Sequence, residues 1–259
     1  NLAHGELVML GAYATWGLSS AGRLGPLGAV AAVIPAMFAV GYVIERLLLR
    51  PLTPRRALSP LLATLGLSIV LQQAVRIVFS PTPHAAPLPL EGVWRIAGVN
   101  VAAGRALLLV AALGIVAGLA GFLRTTRLGR SVRAVAQNPG AAQLIGIDIA
   151  RVRTLAFALS TAAAGAAGAL ISQAQPIHPA MGPPLLLRAV AIAALVGPGR
   201  VTGALAGGVA LGVFESMIAA FVPRVGANVG VIAAAAVLVV MLVVRRASLV
   251  EGPPRTWAS

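Results

Sequence analysis

Apolar positions along the chain fall into long unbroken runs, interrupted by short polar stretches rich in arginine, proline and glycine. The runs are Pro26–Ile44, Leu61–Phe79, Ala106–Leu123, Thr154–Ser172, Thr202–Val222 and Val229–Val244. A bilayer core takes about 20 apolar residues as a helix, or about 9–11 as a barrel strand. Continuous runs without alternation predict helices. Two further apolar pieces, Leu7–Leu18 and Leu185–Val196, are too short for a straight crossing and are expected to be tilted, broken or re-entrant. The pattern predicts an all-α, polytopic helical membrane protein of about eight membrane segments, forming a single transmembrane domain over residues 1–259.

Composition agrees. Hydrophobic residues make up 59% of the chain, charged residues 10%, and the mean hydropathy is +0.94. Soluble domains are about 25% charged, and disordered chains are poor in apolar residues, so both classes are excluded. All 20 basic residues are arginine, against 6 acidic ones, for a net charge of +14. Without lysine there is no P-loop or Schiff-base lysine, and without cysteine no disulfide or thiolate site.

The arginines punctuate apolar runs and do not gather on a solvated face, which argues for membrane orientation and against nucleic acid. Arg46, Arg50, Arg55 and Arg56 follow the second apolar piece. Arg124, Arg127, Arg130, Arg133, Arg151 and Arg153 fill the long loop 124–153, and Arg245, Arg246 and Arg255 close the chain. Alternating crossings place these groups and Arg200 on one side, leaving Arg23, Arg95, Arg105 and Arg224 in the opposite loops, with Arg76 and Arg188 near span ends there. The arginine-rich side is therefore expected to be cytoplasmic, with the C-terminus inside. Ser80–Arg105 is expected as a compact external loop and Arg245–Ser259 as a short polar tail. The chain opens at Asn1 without a methionine or a signal peptide pattern, so part of the natural N-terminus is expected to be missing.

Candidate chemistry is sparse. Glu215 stands as the carboxylate well inside a span, and a charge there costs about 2.5–3.5 kcal/mol unless partnered. Arg188, on the preceding short helix, is the expected partner in a structural ion pair. Gly66-Leu67-Ser68 resembles the start of a serine-nucleophile motif, but that chemistry needs a neighbouring base. His84 and His178 fall in external loops and His4 near the inner end of the first piece, so neither catalysis nor metal binding is expected. Gln72 and Gln73 either face a translocation path or hydrogen-bond between helices.

Small-residue pairs Gly114/Gly118, Gly203/Gly207 and Gly208/Gly212 predict close helix packing. Gly5 and Gly11 in the first piece, and Gly197 to Gly212 later, stand beside short or broken helices, as in transporter repeats. In the long loop, Asn138 is a good N-cap, Pro139 suits the first helical position and Gly146 fits just past the last turn. These predict a capped helix Pro139–Ile145, with Asp148 capping the next span. So short a helix is marginal alone. Its exposed side chains are expected to be small: Ala141, Ala142 and Gln143.

Several stretches carry a resemblance. Asn1-Leu2-Ala3-His4-Gly5-Glu6 through Leu10-Gly11-Ala12-Tyr13 resembles the branched-chain amino-acid ABC-transporter permeases. So do Glu45-Arg46 with Arg50-Pro51-Leu52, Leu65-Gly66-Leu67-Ser68 and Leu71-Gln72-Gln73. The fullest stretch runs from Thr126-Arg127-Leu128-Gly129-Arg130 through Arg133-Ala134-Val135-Ala136-Gln137-Asn138 to Ala141-Ala142 and Leu144-Ile145-Gly146-Ile147. His178-Pro179 with Gly182, and Gly203-Ala204 with Gly207-Gly208, continue it. The family's usual additional span would precede the first stretch and is expected to belong to the missing N-terminus, and Gly197-Pro198-Gly199-Arg200 replaces the family's usual double-glycine and Gly-Ser pattern.

The resemblance implies a permease subunit of a bacterial inner-membrane importer for branched-chain amino acids or similar small polar solutes. The implied partners are a second permease subunit, two cytoplasmic ATPases and an external binding protein. The chain itself would be no enzyme and hold no cofactor, ATP being used by the ATPases. Asn138, Pro139, Gly140, Ala141, Ala142, Gln143, Leu144, Ile145 and Gly146 would form the helix that the ATPase grips. The alternatives are a self-sufficient channel or secondary carrier and, more distantly, an intramembrane hydrolase using Ser68.

Overall fold

A computed structural model of the chain describes residues 1–22, 24–52, 58–87, 90, 92–96, 98–197, 199, 201–221 and 229–244. The expectations for Arg23, Arg55, Arg56, Pro198, Arg200, Arg224, Arg245, Arg246, Arg255 and the C-terminal tail lie outside the described residues.

The chain divides into two units, Asn1–Pro183 and Pro184–Ser259. The first holds α1 (His4–Ser20), α2 (Pro26–Ile44), α3 (Ser59–Phe79), α4 (Ala103–Thr125), α5 (Arg127–Gln137), α6 (Pro139–Leu144) and α7 (Ile149–Ala174). A π-helical turn, Glu45–Leu49, prolongs α2. Between α3 and α4 stands an antiparallel hairpin of β1 (Val93–Ile96) and β2 (Val99–Ala102), with Val93 opposite Ala102 and Ile96 opposite Val99. The second unit holds α9 (Val201–Phe221), α10 (Val229–Val244) and most of α8 (Gly182–Val196).

Among the described residues, five helices are long and apolar enough to cross a membrane: Pro26–Leu49, Ser59–Phe79, Ala103–Thr125, Ile149–Ala174 and Val201–Phe221. The protein is a multi-pass helical membrane protein. The expected total of eight segments is reached only by adding α1, α8 and α10, of 17, 15 and 16 residues. At 1.5 Å per residue α1 and α8 measure about 22–26 Å, short of a bilayer core of about 30 Å.

The core of the first unit is α7 clasped by α1 and α2. The face of α7 is small: Ala158, Ala162, Ala164, Ala166 and Ala169 are buried, with Gly165 and Gly168 among them. A Cβ on Gly168 would fall onto the carbonyl of Val8, and one on Gly11 would lie 2.5 Å from the Cα of Gly165. One on Gly41 would lie 2.5 Å from the Cβ of Thr161. Helix backbones touch here because only hydrogen separates them.

These contacts bear on two expectations. Helix α1 is not broken at Gly5 or Gly11 but runs continuously, and Gly11 is a packing contact with α7. The pair Gly114/Gly118 on α4 makes no such contact, since nothing lies within 4 Å of a Cβ at either position. In the second unit Gly207 does pack closely, since a Cβ there would lie 3.1 Å from Val196 Cγ2, whereas a Cβ on Gly212 would meet nothing within 4 Å.

Hydrogen bonds fix the directions. The Leu2 amide donates to Thr64 Oγ1 (3.1 Å) at one end of α1, while Tyr13 and Trp16 meet Phe79 at the other. Helices α1 and α3 therefore run the same way. Gln173 Nε2 donates to the Pro26 carbonyl (3.3 Å) at one end of α2, and Arg153 bonds Glu45 at the other, so α2 and α7 are antiparallel. The loop after α3 is tied to the end of α7 by mutual amide–carbonyl bonds of His84 with Ile177, and by the Ala86 amide bonding the Ser172 carbonyl.

Candidate functional site

The polar stretch between α4 and α7 is built from caps. Thr126 ends α4 and begins α5, accepting a hydrogen bond on its hydroxyl from the Gly129 amide (3.0 Å). Gly129 is needed there because a side chain would strike the backbone of Leu123. Arg130 donates to the Thr125 carbonyl (3.1 Å) and Arg133 to the Leu123 carbonyl, satisfying carbonyls that the end of α4 leaves free. Helix α5 itself is not announced by the hydropathy pattern.

Helix α6 follows at once. Asn138 Oδ1 accepts from the Ala141 amide (3.0 Å), with Pro139 at the first helical position. At the other end the Ile147 amide bonds the Ala142 carbonyl and the Gly146 amide bonds the Gln143 carbonyl, both 3.0 Å. This is a Schellman closure, and Gly146 supplies the left-handed residue it requires at φ +82°. The helix ends at Leu144, one residue earlier than expected, with Ile145 as its C-cap. Asp148 Oδ1 then accepts from the Arg151 amide (3.0 Å) and starts α7.

One expectation about α6 is corrected. Ala142 is 2% exposed, turned inward because the helix lies on the first unit. The outward side chains include Ala141 and Gln143, and beyond them Leu144 at 90% and Ile145 at 76% exposed. Two large aliphatic side chains thus stand free at the end of a rigid, six-residue helix.

Behind this element is a buried carboxylate. Glu45, 2% exposed in the π turn, receives Arg153 Nε on one oxygen (3.0 Å) and Thr154 Oγ1 on the other (2.6 Å). It clamps the end of α2 to the first turns of α7. Glu6, 1% exposed on α1, is equally buried, and its Oε2 has no hydrogen-bond partner among the described residues. A Cβ at Gly182 would lie 2.8 Å from the Glu6 carboxyl carbon, so α8 begins against Glu6. Glu6 lies seven residues before Tyr13, about 10 Å along α1. Tyr13 in turn neighbours His84, which is bridged to Ile177. From Ile177 to Gly182 the chain therefore turns back along α1, and α8 starts partway down that helix.

Glu215 is consequently not the lone enclosed carboxylate. Glu6 and Glu45 escape a reading of the sequence because both sit within two residues of a helix boundary, where solvation is the default; their burial comes from α7 and Gly182, which are distant in the chain. In the second unit Arg188 Nε lies 3.2 Å from Glu215 Oε1, off the hydrogen-bonding axis, so the contact is an ion pair without a directed hydrogen bond. Gly230 makes room for it, since a side chain there would collide with the guanidinium.

The remaining candidates are dispersed. Gln72 is half-buried and Gln73 exposed on α3, and Ser68 is half-buried. His84 stacks on Trp16 at 4.1 Å, and its Nε2 lies 3.0 Å from the Phe79 carbonyl. His178 is exposed. Among the described residues no group of three His, Asp or Glu could hold a metal ion.

The chain matches the family model described as branched-chain amino acid transport system / permease component over residues 1–245. It is 31% identical to the high-affinity branched-chain amino acid transport system permease protein LivH of Salmonella typhimurium, covering 85% of this chain and 76% of the relative. It is 35% identical to the corresponding permease protein BraD of Pseudomonas aeruginosa, covering 83% and 75%. A probable branched-chain amino acid transport permease, LivH of Methanocaldococcus jannaschii, is 29% identical over 84% and 71%. No solved structure matches the chain. By matched length and identity, this chain belongs to the permease-component family of branched-chain amino acid transport systems.

Proposed function

We propose that the chain is the membrane-spanning subunit of an ATP-driven importer, forming with a second permease subunit the passage for branched-chain amino acids or similar small polar solutes. Two cytoplasmic ATPases bind and hydrolyse ATP, and an external binding protein delivers the solute. The arginine-rich side, carrying loop 124–153, faces the cytoplasm of a bacterial inner membrane, and the C-terminus lies on the same side. The observation that carries this reading is α6: capped at both ends, seated on Ala142, and presenting Leu144 and Ile145 outward.

A rigid short helix with free aliphatic side chains suits insertion into a groove of a partner. Motion received there passes along a short path. Helix α6 is separated from α7 by four residues, and Arg153 and Thr154 bind Glu45 at the foot of α2. Force on α6 is thereby delivered to the helices α2 and α7 together. Gln72 and Gln73 on α3 are the candidate passage-lining polar groups. The backward turn into α8 at Gly182 resembles the broken helices that form transport sites. The Arg188–Glu215 pair serves structure.

The test is the Leu144→Asp/Ile145→Asp variant in the assembled importer. ATPase subunits are expected to dissociate on purification, and ATP-dependent uptake of labelled leucine to fall more than about tenfold, for loss of about 1.4 kcal/mol or more of docking energy. Unchanged thermal stability of the permease itself is the control. Normal docking and uptake would overturn the coupling role, and saturable uptake by the permease alone in liposomes would point to a carrier.

A further inference from the structure

At the end of α2 that carries the π turn, a cavity of about 510 Å³ opens between α2 and α7. Tyr42, Arg46, Arg50, Asp148, Arg151 and Thr154 line it, with Leu155. Three guanidinium groups and one carboxylate give the lining a net charge of +2. The negative groups nearby are already committed. Asp148 caps α7, and Glu45 is shared between Arg153 and Thr154. Arg46 is held by donating to the Tyr42 hydroxyl (2.7 Å) with its guanidinium over the Tyr42 ring. Among the described residues Arg50 and Arg151 make no ion pair.

We propose that this cavity binds the phosphate group of an anionic phospholipid. Guanidinium groups recognise phosphate through paired N–H donors, and the volume falls in the range of ligand pockets, about 300–1,000 Å³. The surroundings favour a lipid over an acidic protein side chain. The walls are the ends of two membrane-spanning helices, and the stripe of α2 adjoining Tyr42 and Arg46 exposes Val43 at 51% and Leu47 at 72%. A headgroup seated among the arginines therefore leaves its acyl chains against exposed aliphatic surface. Basic pockets between helix ends at the membrane surface are where such headgroups are held.

The experiment is native mass spectrometry of the full-length permease in detergent, titrated with phosphatidylglycerol, with phosphatidylcholine and inorganic phosphate as parallel arms. Phosphatidylglycerol is expected to be retained in preference to phosphatidylcholine. The Arg50→Gln/Arg151→Gln variant is expected to bind it about twenty-five-fold more weakly, each arginine contributing about fivefold at a membrane surface. Arg95→Gln, on the hairpin, is expected to leave binding unchanged. Both test residues are exposed at the cavity mouth, and thermal unfolding reports whether the double variant folds; if it does not, the single variants each show the fivefold loss. Equal retention of the two lipids, or wild-type binding by the variants, overturns the proposal. Displacement of the lipid by millimolar inorganic phosphate reassigns the site to a soluble anion. Loss of ATPase co-purification in the variants, with phosphatidylglycerol binding intact, reassigns it to an acidic partner surface.

Discussion

Helices α7 and α4 are both long, apolar and glycine-bearing, yet they are enclosed to opposite extents. Within α7 the glycines Gly165 and Gly168 are buried against Met37 and Val8. Within α4 the glycines Gly114, Gly118 and Gly121 face open space, and only Ala103, Gly104 and Leu108 at its start are buried. The same residue in the same kind of helix is thus a structural necessity in one place and a free position in the other. Glycine spacing says that close approach is permitted; whether it happens depends on which helix the topology brings alongside. Helix α7 is clasped by its two antiparallel and parallel neighbours, α2 and α1, while α4 leaves its flank to lipid or to another chain.

The sharpest way to break this comparison is to add a side chain at Gly168. Leucine there would have to displace the backbone of Val8 and Ala12, which cannot move without shifting α1. Overpacking of a tight core costs about 1–3 kcal/mol and more where backbone must shift. Gly168→Leu is expected to fall at or above the top of that range, read as a large drop in thermal unfolding temperature in detergent, with loss of folded yield. A stable, folded variant would mean that α1 and α7 are not held in this backbone contact.

An intermediate effect comes from the clamp at the foot of α2. Removing one partner of a fully buried ion pair costs about 3–5 kcal/mol. Arg153 is 39% exposed while Glu45 is 2% exposed, so solvent screening lowers the figure to about 2 kcal/mol. The loss is asymmetric. Arg153→Ala leaves a buried carboxylate with only Thr154, whereas Glu45→Gln leaves Arg153 free to turn to water. Arg153→Ala is therefore expected to be the more destabilising of the two, and the double variant less destabilised than the sum. Equal single effects that add would show that the two side chains do not interact.

These contrasts also mark what is legible in the sequence. The bounds of α2, Pro26–Ile44, coincide with the run read from hydropathy; Gly25 and Pro26 fix its start locally, and a π turn, Glu45–Leu49, carries the helix on past its end. The caps at Asn138, Gly146 and Asp148 are legible for the same reason: a cap acts within four residues of itself. Helix α5 is hidden by its polar composition, and the hairpin Val93–Ala102 by strands of only four residues each. Glu6 and Glu45 stay hidden because their burial is supplied by Gly182 and by Arg153, far off in the chain. Proximity of Arg188 and Glu215 can be anticipated, since an apolar helix allows a carboxylate few alternatives to the nearest arginine.

The smallest expected effect is Gly118→Leu, and it sharpens the comparison most. Among the described residues nothing lies within 4 Å of a Cβ at this position, so a side chain can leave the helix here without striking a neighbouring helix. Replacing glycine in a helix interior also removes about 0.5–1 kcal/mol of backbone entropy cost relative to alanine. In the isolated permease the variant is expected to be as stable as the parent, or up to about 1 kcal/mol more stable, whereas Gly168→Leu collapses it. The measurement is thermal unfolding of both variants side by side, first as the isolated subunit and then in the assembled importer. Destabilisation of the isolated Gly118→Leu protein would show that α4 is packed within its own chain. Destabilisation confined to the assembly would instead locate a second subunit on this face of α4, since only an added backbone could turn an open glycine into a contact.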